Sequence, residues 1–250
     1  MVMTFSDALP CRPGERAWQA LLRALPDLQG KTVLDLGCGT GEPAAAIAAR
    51  GARVIGVDAQ EDFLREARAR GIAGAEFVAA DLRSLPELGV AADGLWCCYS
   101  VAYFVELVPV LVSWARHLRP GGWIAITEID DLLGQEPLNV STVSLLDAYA
   151  RDALAAKRYD FHMGRKLRGH LEEAGFRVDL SGVLEDPEFA FLGAAGAAAL
   201  DSWRRRLDRM PVLRDFCGAE FEGLRRDFLA CLAREDHRSR AKVVGCIARR

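Results

Sequence analysis

The sequence has no surplus of positive charge and no long apolar run, and both absences exclude classes of function. Its 32 lysines and arginines are outnumbered by 35 aspartates and glutamates, which gives a formal net charge of −3. Nucleic-acid-binding domains usually carry a basic surface, so we expect no nucleic-acid partner. The longest weakly polar run, residues 190–200, is shorter than the roughly 20 residues that a membrane-spanning helix needs. We therefore expect no membrane partner either.

The seven cysteines lack the spacing of a disulfide framework or of a metal site. No C-x-x-C pair and no cysteine–histidine ligand pattern links them, so we expect reduced, buried thiols, as is usual in the cytoplasm. Residues 1–10 also lack the basic segment and apolar stretch of a secretory signal, which again favours a cytoplasmic location. The cysteines are Cys11, Cys38, Cys97, Cys98, Cys217, Cys231 and Cys246.

Strands and helices alternate through the first half of the chain. After a helix at about 15–25, apolar strand patterns at 32–36, 53–58, 75–81, 93–100 and 123–128 are separated by helical patterns or loops. Such alternation predicts right-handed crossovers and a mostly parallel α/β sheet.

The second half has a different rhythm, with helices near 143–153 and 165–175, a strand at 176–182, two further helices between 187 and 237, and a terminal strand at 241–248. No internal repeat or low-complexity linker interrupts the chain. We expect a single domain over 1–250, with its core at about 30–130, 165–183 and 240–250. Helical insertions are expected at about 131–164 and 187–239.

A glycine turn follows the first strand. Gly37, Gly39 and Gly41 form G-x-G-x-G, and such glycines let main-chain N–H groups approach a ligand at the positive end of a helix. A dinucleotide fold instead uses G-x-G-x-x-G, with the pyrophosphate on the helix N-terminus. Here Glu42 takes the place of the third glycine, and its carboxylate would repel a pyrophosphate. A dinucleotide ligand is therefore disfavoured.

Acidic residues stand at the ends of three successive strands. Asp35, two residues before Gly37, places an anion in the ligand crevice, which suits an ammonium group and not a phosphate. Asp58 closes the second strand, where a carboxylate can accept both ribose hydroxyls. Asp81 closes the third strand and can accept from an adenine amino group, while Leu82 covers the ring. Together they predict an adenosine that carries an ammonium-bearing amino-acid tail.

The segments "VLDLGCGTG", "GVD", "AADL" and "LRPGGWIAITE", in this order within residues 32–128, resemble the class I S-adenosylmethionine-dependent methyltransferases, among them those that act on small molecules. The resemblance implies a Rossmann-like, doubly wound sheet of seven mostly parallel strands in the order 3-2-1-4-5-7-6, with strand 7 antiparallel. It also implies S-adenosylmethionine as cofactor and S-adenosylhomocysteine as product.

By this resemblance the glycine turn and Asp35 hold the methionine end, Asp58 the ribose, and Asp81 with Leu82 the adenine. The chain departs from the minimal family plan in residues 129–164 and in the long helical segment between the last two strands, and both departures should shape the substrate side. The expected cofactor residues are Asp35, Gly37, Cys38, Gly39, Gly41, Asp58, Ala59, Asp81, Leu82, Tyr99 and Ser100.

Motifs that would name the methyl acceptor are missing. A (D/N)-P-P-(Y/F) sequence, typical of amide or base N-methylation, does not follow strand 4, where the chain reads "CCYSVAYF". Trp96 precedes Cys97-Cys98, so the Pro-Cys nucleophile of cytosine carbon-5 methylation is also lacking. The sequence "EIDD" offers carboxylates after strand 5, but strand 4 supplies no further one, and we predict no metal.

The candidate catalytic residues are His162, Tyr103 and Glu128. His162 is the preferred general base, because the usual pKa of histidine lies near neutral pH, although a histidine that only hydrogen-bonds a loop is an equal alternative. Tyr103, Tyr159 and Phe161 are expected to line an apolar pocket.

The leading hypothesis is methyl transfer to an oxygen or nitrogen, with carbon less favoured, of a small-molecule metabolite, by a monomer or homodimer. The alternative is a fold relative that binds S-adenosylmethionine as a sensor, a scaffold or a catalyst of another reaction. RNA methylation is disfavoured by the net charge.

Overall fold

The computed structural model describes residue 12 and residues 14–250, so Cys11 and the segment read for a secretory signal lie outside the described residues. The strands within these residues are β1 (Thr32–Leu36), β2 (Arg53–Asp58), β3 (Ala75–Ala79), β4 (Ala92–Cys98), β5 (Leu118–Asp130), β6 (Gln135–Glu136), β7 (Arg177–Leu184), β8 (Arg238–Ser239) and β9 (Lys242–Arg249).

Seven of these strands form one sheet in the order β3-β2-β1-β4-β5-β9-β7. The first five pair in parallel, and β9 runs antiparallel to both β5 and β7. The strands β7 and β9 are therefore strands 6 and 7 of the predicted order. The predicted seven-stranded, doubly wound α/β fold is confirmed.

The helices of the described residues are α1 (Ala17–Ala24), α2 (Glu42–Ala48), α3 (Glu61–Ala69), α4 (Leu107–Trp114), α5 (Val140–Ala155), α6 (Met163–Glu173), α7 (Ala197–Asp208), α8 (Pro211–Cys217) and α9 (Phe221–Leu232). The predicted first helix ends as expected before Pro26, since Leu25 already has the extended angles φ −72° and ψ 152°. The sequence did not predict α8.

The apolar residues of β1 alternate between two hydrophobic cores. Val33 packs in the core that contains Trp18 and Leu21 of α1, whereas Leu34 and Leu36 pack in the core that contains Leu111 of α4. All six are buried. Both faces of the strand are thus covered, which explains why the strand sequences read as nearly continuous apolar runs.

The two segments predicted as helical insertions are joined by a short two-stranded sheet. The short strands β6 and β8 pair antiparallel, with Gln135 opposite Ser239 and Glu136 opposite Arg238, and so join the start of the first insertion to the end of the second. The sequence did not predict this two-stranded sheet. Its position matters because ligands of open α/β sheets bind beyond the carboxyl ends of the parallel strands.

Candidate functional site

The glycine turn connects β1 to α2 and is anchored on β2. The N–H groups of Gly37 and Cys38 donate to the Val57 carbonyl oxygen at 2.8 and 3.1 Å. Gly37, Gly39 and Gly41 have φ angles of +76°, +51° and +79°, which residues other than glycine rarely adopt. The predicted turn therefore has the backbone that requires glycine.

Two of these glycines serve different purposes. A Cβ atom on Gly37 would lie 2.3 Å from Ser100 Oγ and 2.8 Å from Ser100 Cβ, so the turn packs directly on the end of β4. A Cβ atom on Gly39 would meet nothing within 4 Å. Gly37 thus permits a close backbone approach, while Gly39 faces open space that a ligand can occupy.

Asp35 carries an uncompensated carboxylate beneath the turn. The residue is 1% exposed, and its Oδ2 atom has no hydrogen-bond partner. Burial, followed by the charge of Asp58, raises the pKa of Asp35 to about 7, although the Ala44 N–H group donates to this carboxylate. An unpaired buried oxygen of this kind fits the ammonium group of an amino-acid tail, because a cation would supply both the charge and the donor that it lacks.

Asp58 lies at the mouth of the turn, with Ala59 exposed beside it. Its Oδ2 accepts from the Gly39 N–H group and its Oδ1 from the Gln60 N–H group, both at 2.9 Å. A carboxylate oxygen has two acceptor positions, so each oxygen retains one for a hydroxyl. The residues therefore fit a ribose at this edge, and the buried Cys38 lies under the turn.

Asp81 and Leu82 follow β3 as predicted. The exposed Asp81 accepts from the Arg83 N–H group at 2.8 Å and so begins a short 3-10 helix, Leu82–Ser84. Leu82 is 7% exposed, and its Cδ1 atom would lie 3.7 Å from a Cβ atom on Gly37. The structure therefore brings Leu82 against the glycine turn, with the Asp81 carboxylate at the surface beside it.

Tyr99 and Ser100 complete this edge of the sheet after β4. Tyr99 has the unusual φ of +57°, and its hydroxyl donates to Asp186 Oδ2 at 3.3 Å. Ser100 Oγ donates to the Cys98 carbonyl oxygen at 3.2 Å. All the predicted cofactor residues are thus at the ends of β1 to β4 and in the turn between them.

Asp186 is a site residue that the sequence did not single out. Its buried carboxylate accepts from the Arg16 side chain and the Ala17 N–H group, both at 3.0 Å, and from the Tyr99 hydroxyl. The carboxylate also accepts from the N–H groups of the residues that follow, among them Glu188 at 2.9 Å. It therefore ties the start of α1, the end of β4 and the loop after β7 together.

Glu128 is fully buried at the end of β5. Its Oε2 accepts from the Ala102 N–H group at 2.9 Å and its Oε1 from the Ile129 N–H group at 2.8 Å. Burial raises the pKa of Glu128 to about 7 against these hydrogen bonds. The Glu128 side chain therefore holds the short 3-10 helix Val101–Tyr103 in position. A role of Glu128 in proton transfer stays a prediction.

We expect Glu128→Ala to lower the free energy of unfolding by about 2–5 kcal/mol, since at least two buried N–H groups would lose their acceptor. Urea denaturation of Glu128→Ala and of the matched exposed variant Glu106→Ala measures this. Equal stability of the two variants would contradict the positioning role of Glu128.

His162 precedes α6, and its ring makes no hydrogen bond within the described residues. The buried Nδ1 atom is unpartnered and lies 3.8 Å from Asp130 Oδ1, which Arg165 already engages at 2.7 Å. The backbone of His162, in contrast, is held, because its N–H group donates to Asp160 at 2.9 Å. Its side chain is 42% exposed, so part of the ring can meet a ligand, although the Nδ1 atom is buried.

The structure places Tyr103 and His162 on two different cavities. His162 lines a cavity of about 300 Å³, here called the insertion cavity, whose polar and apolar walls include Asp131, Gln135, Leu146, Asp147, Phe161 and His162. Tyr103, which is 54% exposed, lines a second cavity of about 280 Å³ together with Arg83, Glu106 and Lys157.

An aromatic row connects the two cavities. The ring centroid of Tyr159 lies 4.9 Å from that of Tyr103 and 4.6 Å from that of Phe161. Phe161 is also a wall of the insertion cavity. Tyr103, Tyr159 and Phe161, which were predicted to line one apolar pocket, therefore form a continuous row of rings between the two cavities.

The described residues contain no group of three or more histidine, cysteine, aspartate or glutamate side chains positioned to hold a metal ion. The absence of a metal stays a prediction. Among the same residues, no helix is both long and apolar enough to cross a membrane.

Comparisons with known proteins agree with this fold. Residues 33–122 match the family model described as a methyltransferase domain. The methyltransferase GfsG of Streptomyces halstedii is 37% identical over 122 residues, which are 46% of this chain and 44% of that protein. The chain thus spans about half the length of the curated relatives it matches.

Solved structures of low sequence identity share the fold. The phosphoethanolamine N-methyltransferase 2 of Haemonchus contortus in complex with S-adenosyl-L-methionine has a TM-score of 0.60 at 21% identity, covering 93% of this chain and 52% of that one. The (4+2)-cyclase SpnF has a TM-score of 0.63 at 20% identity, covering 95% of this chain and 84% of that one.

The fold, the glycine turn and the match to a methyltransferase-domain model over residues 33–122 agree with the predicted resemblance to the class I S-adenosylmethionine-dependent methyltransferases. The matched residues 33–122 contain β1 from its second residue, and β2 to β4, with every predicted cofactor residue.

Proposed function

We propose that this protein binds S-adenosylmethionine at the glycine turn and transfers its methyl group to an oxygen or nitrogen of a small molecule. The observation that carries the proposal is the unpaired, buried Oδ2 atom of Asp35, which calls for a cation below the turn. The names of the relatives, several of which are methyltransferases, support the same reaction.

In this proposal the residues of the turn hold the two ends of the cofactor. Asp35 meets the ammonium group, Asp58 accepts from the ribose, and Leu82 covers the adenine. When bound, S-adenosylmethionine supplies an electrophilic methyl group on a sulfonium sulfur. Because such a displacement depends on alignment and on exclusion of water, the helical insertions act by covering the acceptor side of the edge.

His162 is proposed as the group that takes the acceptor's proton. Its ring lines the insertion cavity and is 42% exposed, while its buried Nδ1 atom has no hydrogen-bond partner. The Asp130 carboxylate at 3.8 Å would stabilise the cation that then forms on the ring. Tyr103, on the far side of the aromatic row, is proposed to close the acceptor site and not to exchange a proton.

The test is methyl transfer from labelled S-adenosylmethionine to a panel of small metabolites, with S-adenosylhomocysteine binding measured by calorimetry. We expect His162→Ala to lower turnover by roughly 100-fold or more, as loss of a general base does, and to retain S-adenosylhomocysteine binding. The matched control is His170→Ala in α6, the helix that His162 precedes, and it should keep full turnover.

Unchanged turnover of His162→Ala would remove His162 from the mechanism, and failure to bind S-adenosylhomocysteine would end the whole proposal. Binding without methylation of any acceptor would favour the alternative, a fold relative that catalyses another reaction or acts as a sensor. The fold likeness to SpnF, a cyclase by name, keeps that alternative open to this experiment.

The remaining parts of the proposal concern partners and place. We propose a cytoplasmic enzyme, monomeric or homodimeric, without a nucleic-acid partner. The net charge of −3 supports the absence of a nucleic-acid partner, because binding to RNA phosphates requires positive charge. Such binding would also weaken steeply as the salt concentration rises. Sedimentation and a salt titration of RNA binding test these two points.

A further inference from the structure

Helix α7 carries an arginine on the face that packs inward. Trp203 and Leu207 of this helix are fully buried, and Arg206 stands three residues after the first of them, which is helical spacing for the same face. The nearby Arg204, in contrast, is exposed. Because burial of a charge is costly unless the charge is paired, the surroundings of Arg206 indicate what this residue does.

Aromatic rings hold the Arg206 side chain beside the cofactor edge. Its guanidinium carbon lies 4.8 Å from the ring centroid of Phe189 and 5.5 Å from that of Trp203. The Phe189 ring in turn lies 5.3 Å, centroid to centroid, from the ring of Tyr99, which follows β4. One aromatic ring therefore separates the guanidinium from the end of β4, and stacking on two rings restricts its motion.

Most of the hydrogen-bond donors of Arg206 are unused. A guanidinium has five N–H donors, and Arg206 makes one hydrogen bond within the described residues, from Nη2 to Glu188 Oε1 at 3.2 Å. Glu188 is also held by Arg16 and by the Ser202 hydroxyl, each at 2.7 Å.

The unused donors of Arg206 differ in their access to a ligand. The Nε atom is buried and has no partner. The Nη1 group at the tip makes no hydrogen bond within the described residues either, but it is not among the buried atoms, and the side chain is 35% exposed. A second acceptor can therefore reach the tip of the guanidinium.

The charge of Arg206 also acts on the aromatic row. Burial raises the pKa of Tyr103 and of Tyr159, and the positive charge of Arg206 opposes both increases. The guanidinium therefore lies within electrostatic reach of both hydroxyl groups. Tyr103 is exposed, so a ligand at this place meets an aromatic surface and a positive charge together.

We propose that Arg206 binds a carboxylate of the substrate, so that the methyl acceptor is a small acid whose apolar body lies against Tyr103 and Tyr159. The inference rests on the proposed function, because it treats the space between α7 and the end of β4 as the acceptor side. A carboxylate fits because the tip of a guanidinium can donate two parallel hydrogen bonds to its two oxygens. One cation with Glu188 beside it suits a single negative charge better than a phosphate dianion.

The test measures binding without turnover. The protein saturated with S-adenosylhomocysteine is titrated with 3-phenylpropionate, with its neutral amide 3-phenylpropanamide and with the cation phenethylamine, and chemical shifts are followed by NMR. We expect 3-phenylpropionate to bind at least about tenfold more tightly than either comparison ligand, because only the anion forms charge-assisted hydrogen bonds with the guanidinium. Low salt is used, since it screens ion pairs least.

Two variants of α7 localise the site. Arg206→Gln should weaken 3-phenylpropionate about tenfold and change 3-phenylpropanamide by no more than about twofold, because the amide does not use the charge. The variant should fold, since Arg16 and Ser202 still hold Glu188. The matched control Arg204→Gln removes an exposed arginine of the same helix and should change neither affinity by more than about twofold.

A second carboxylate, that of the cofactor's own amino-acid tail, is distinguished by calorimetry. If Arg206 serves the substrate, Arg206→Gln should bind S-adenosylhomocysteine within about twofold of the wild type. A tenfold loss would place the guanidinium at the cofactor and overturn the inference.

Three further results would overturn it: 3-phenylpropionate that binds no better than its amide, tighter binding of phenethylamine, or an equal loss of both 3-phenylpropionate and 3-phenylpropanamide in Arg206→Gln. The last result would show that Arg206 acts only through packing. If S-adenosylhomocysteine does not bind to the wild type, the proposed function fails. If it binds and the preference for the anion is missing, only the substrate class fails.

Discussion

Asp35→Asn should make the cofactor-free protein more stable above pH 7 and leave its stability unchanged near pH 4. In the folded chain the pKa of Asp35 lies at about 7, against 3.8 for an ordinary aspartate. The native state therefore holds a proton that the unfolded chain has lost, and stability falls as the pH rises from about 4 to above 7. A shift of about three units corresponds to at most about 4 kcal/mol, and the neutral amide removes this loss.

Urea denaturation of both proteins at pH 5, 6, 7 and 8 measures the effect. We expect the two free energies of unfolding to diverge as the pH rises, because the buried charge appears only in the wild type. Glu128, whose pKa is also raised to about 7, titrates in both proteins and cancels in the difference. A variant that is less stable than the wild type at pH 8 would show that the charge of Asp35 has a partner within the folded chain.

Gly37→Ala should destabilise the fold, whereas Gly39→Ala should mainly abolish cofactor binding. Both substitutions place a side chain at positive φ, which costs roughly 1–2 kcal/mol. Only Gly37→Ala adds a collision with Ser100, whose Oγ and Cβ would lie 2.3 and 2.8 Å away. Overpacking of this kind adds about 1–3 kcal/mol. At Gly39 the new methyl group would instead fill open space of the proposed cofactor site.

Thermal unfolding and S-adenosylhomocysteine titration separate these outcomes. The double variant Gly37→Ala/Ser100→Gly removes both atoms of the collision, so it should recover much of the stability that Gly37→Ala loses. The explanation by close packing would be wrong if Ser100→Gly gave no recovery, and the position of the cofactor would be wrong if Gly39→Ala bound it normally.

The parallel half of the fold could be predicted from the sequence because its signals are local. The buried strands read as apolar runs, and the glycine turn and Pro26 end elements through their own backbone geometry. The pairing of β6 with β8 could not be predicted, since two-residue strands carry no periodicity and meet only when both insertions have folded. Helix α8 begins at Pro211 and is too short for its pattern to stand out.

The sequence could place the candidate cofactor residues at one edge of the sheet because one rule applies, namely that acidic and small residues at the carboxyl ends of parallel strands face the ligand. The same rule could have found Asp186. The strand β7 runs parallel to β5, since both are antiparallel to β9, and Asp186 follows its carboxyl end. The role of Asp186 could not be predicted, because its contacts with Arg16 and Tyr99 join residues that are far apart in the sequence.

The acceptor side is less visible in the sequence for a different physical reason. His162 and Glu128 were both predicted from residue type. Packing alone determines that both Glu128 oxygens accept from backbone N–H groups, whereas the Nδ1 atom of His162 has no hydrogen-bond partner. No linear pattern records such contacts.

The most direct test of the account is a calorimetric comparison at pH 8 of wild type and Asp35→Asn, each titrated with S-adenosylhomocysteine and with 5′-methylthioadenosine, which lacks the amino-acid tail. We expect the substitution to weaken the binding of S-adenosylhomocysteine by roughly 10- to 100-fold, because a hydrogen bond between charged groups is lost. The affinity for 5′-methylthioadenosine should change by no more than about twofold. Equal losses for both ligands, or a wild type that ignores S-adenosylhomocysteine and binds a nicotinamide dinucleotide, would contradict the claim that Asp35 meets the cofactor's ammonium group.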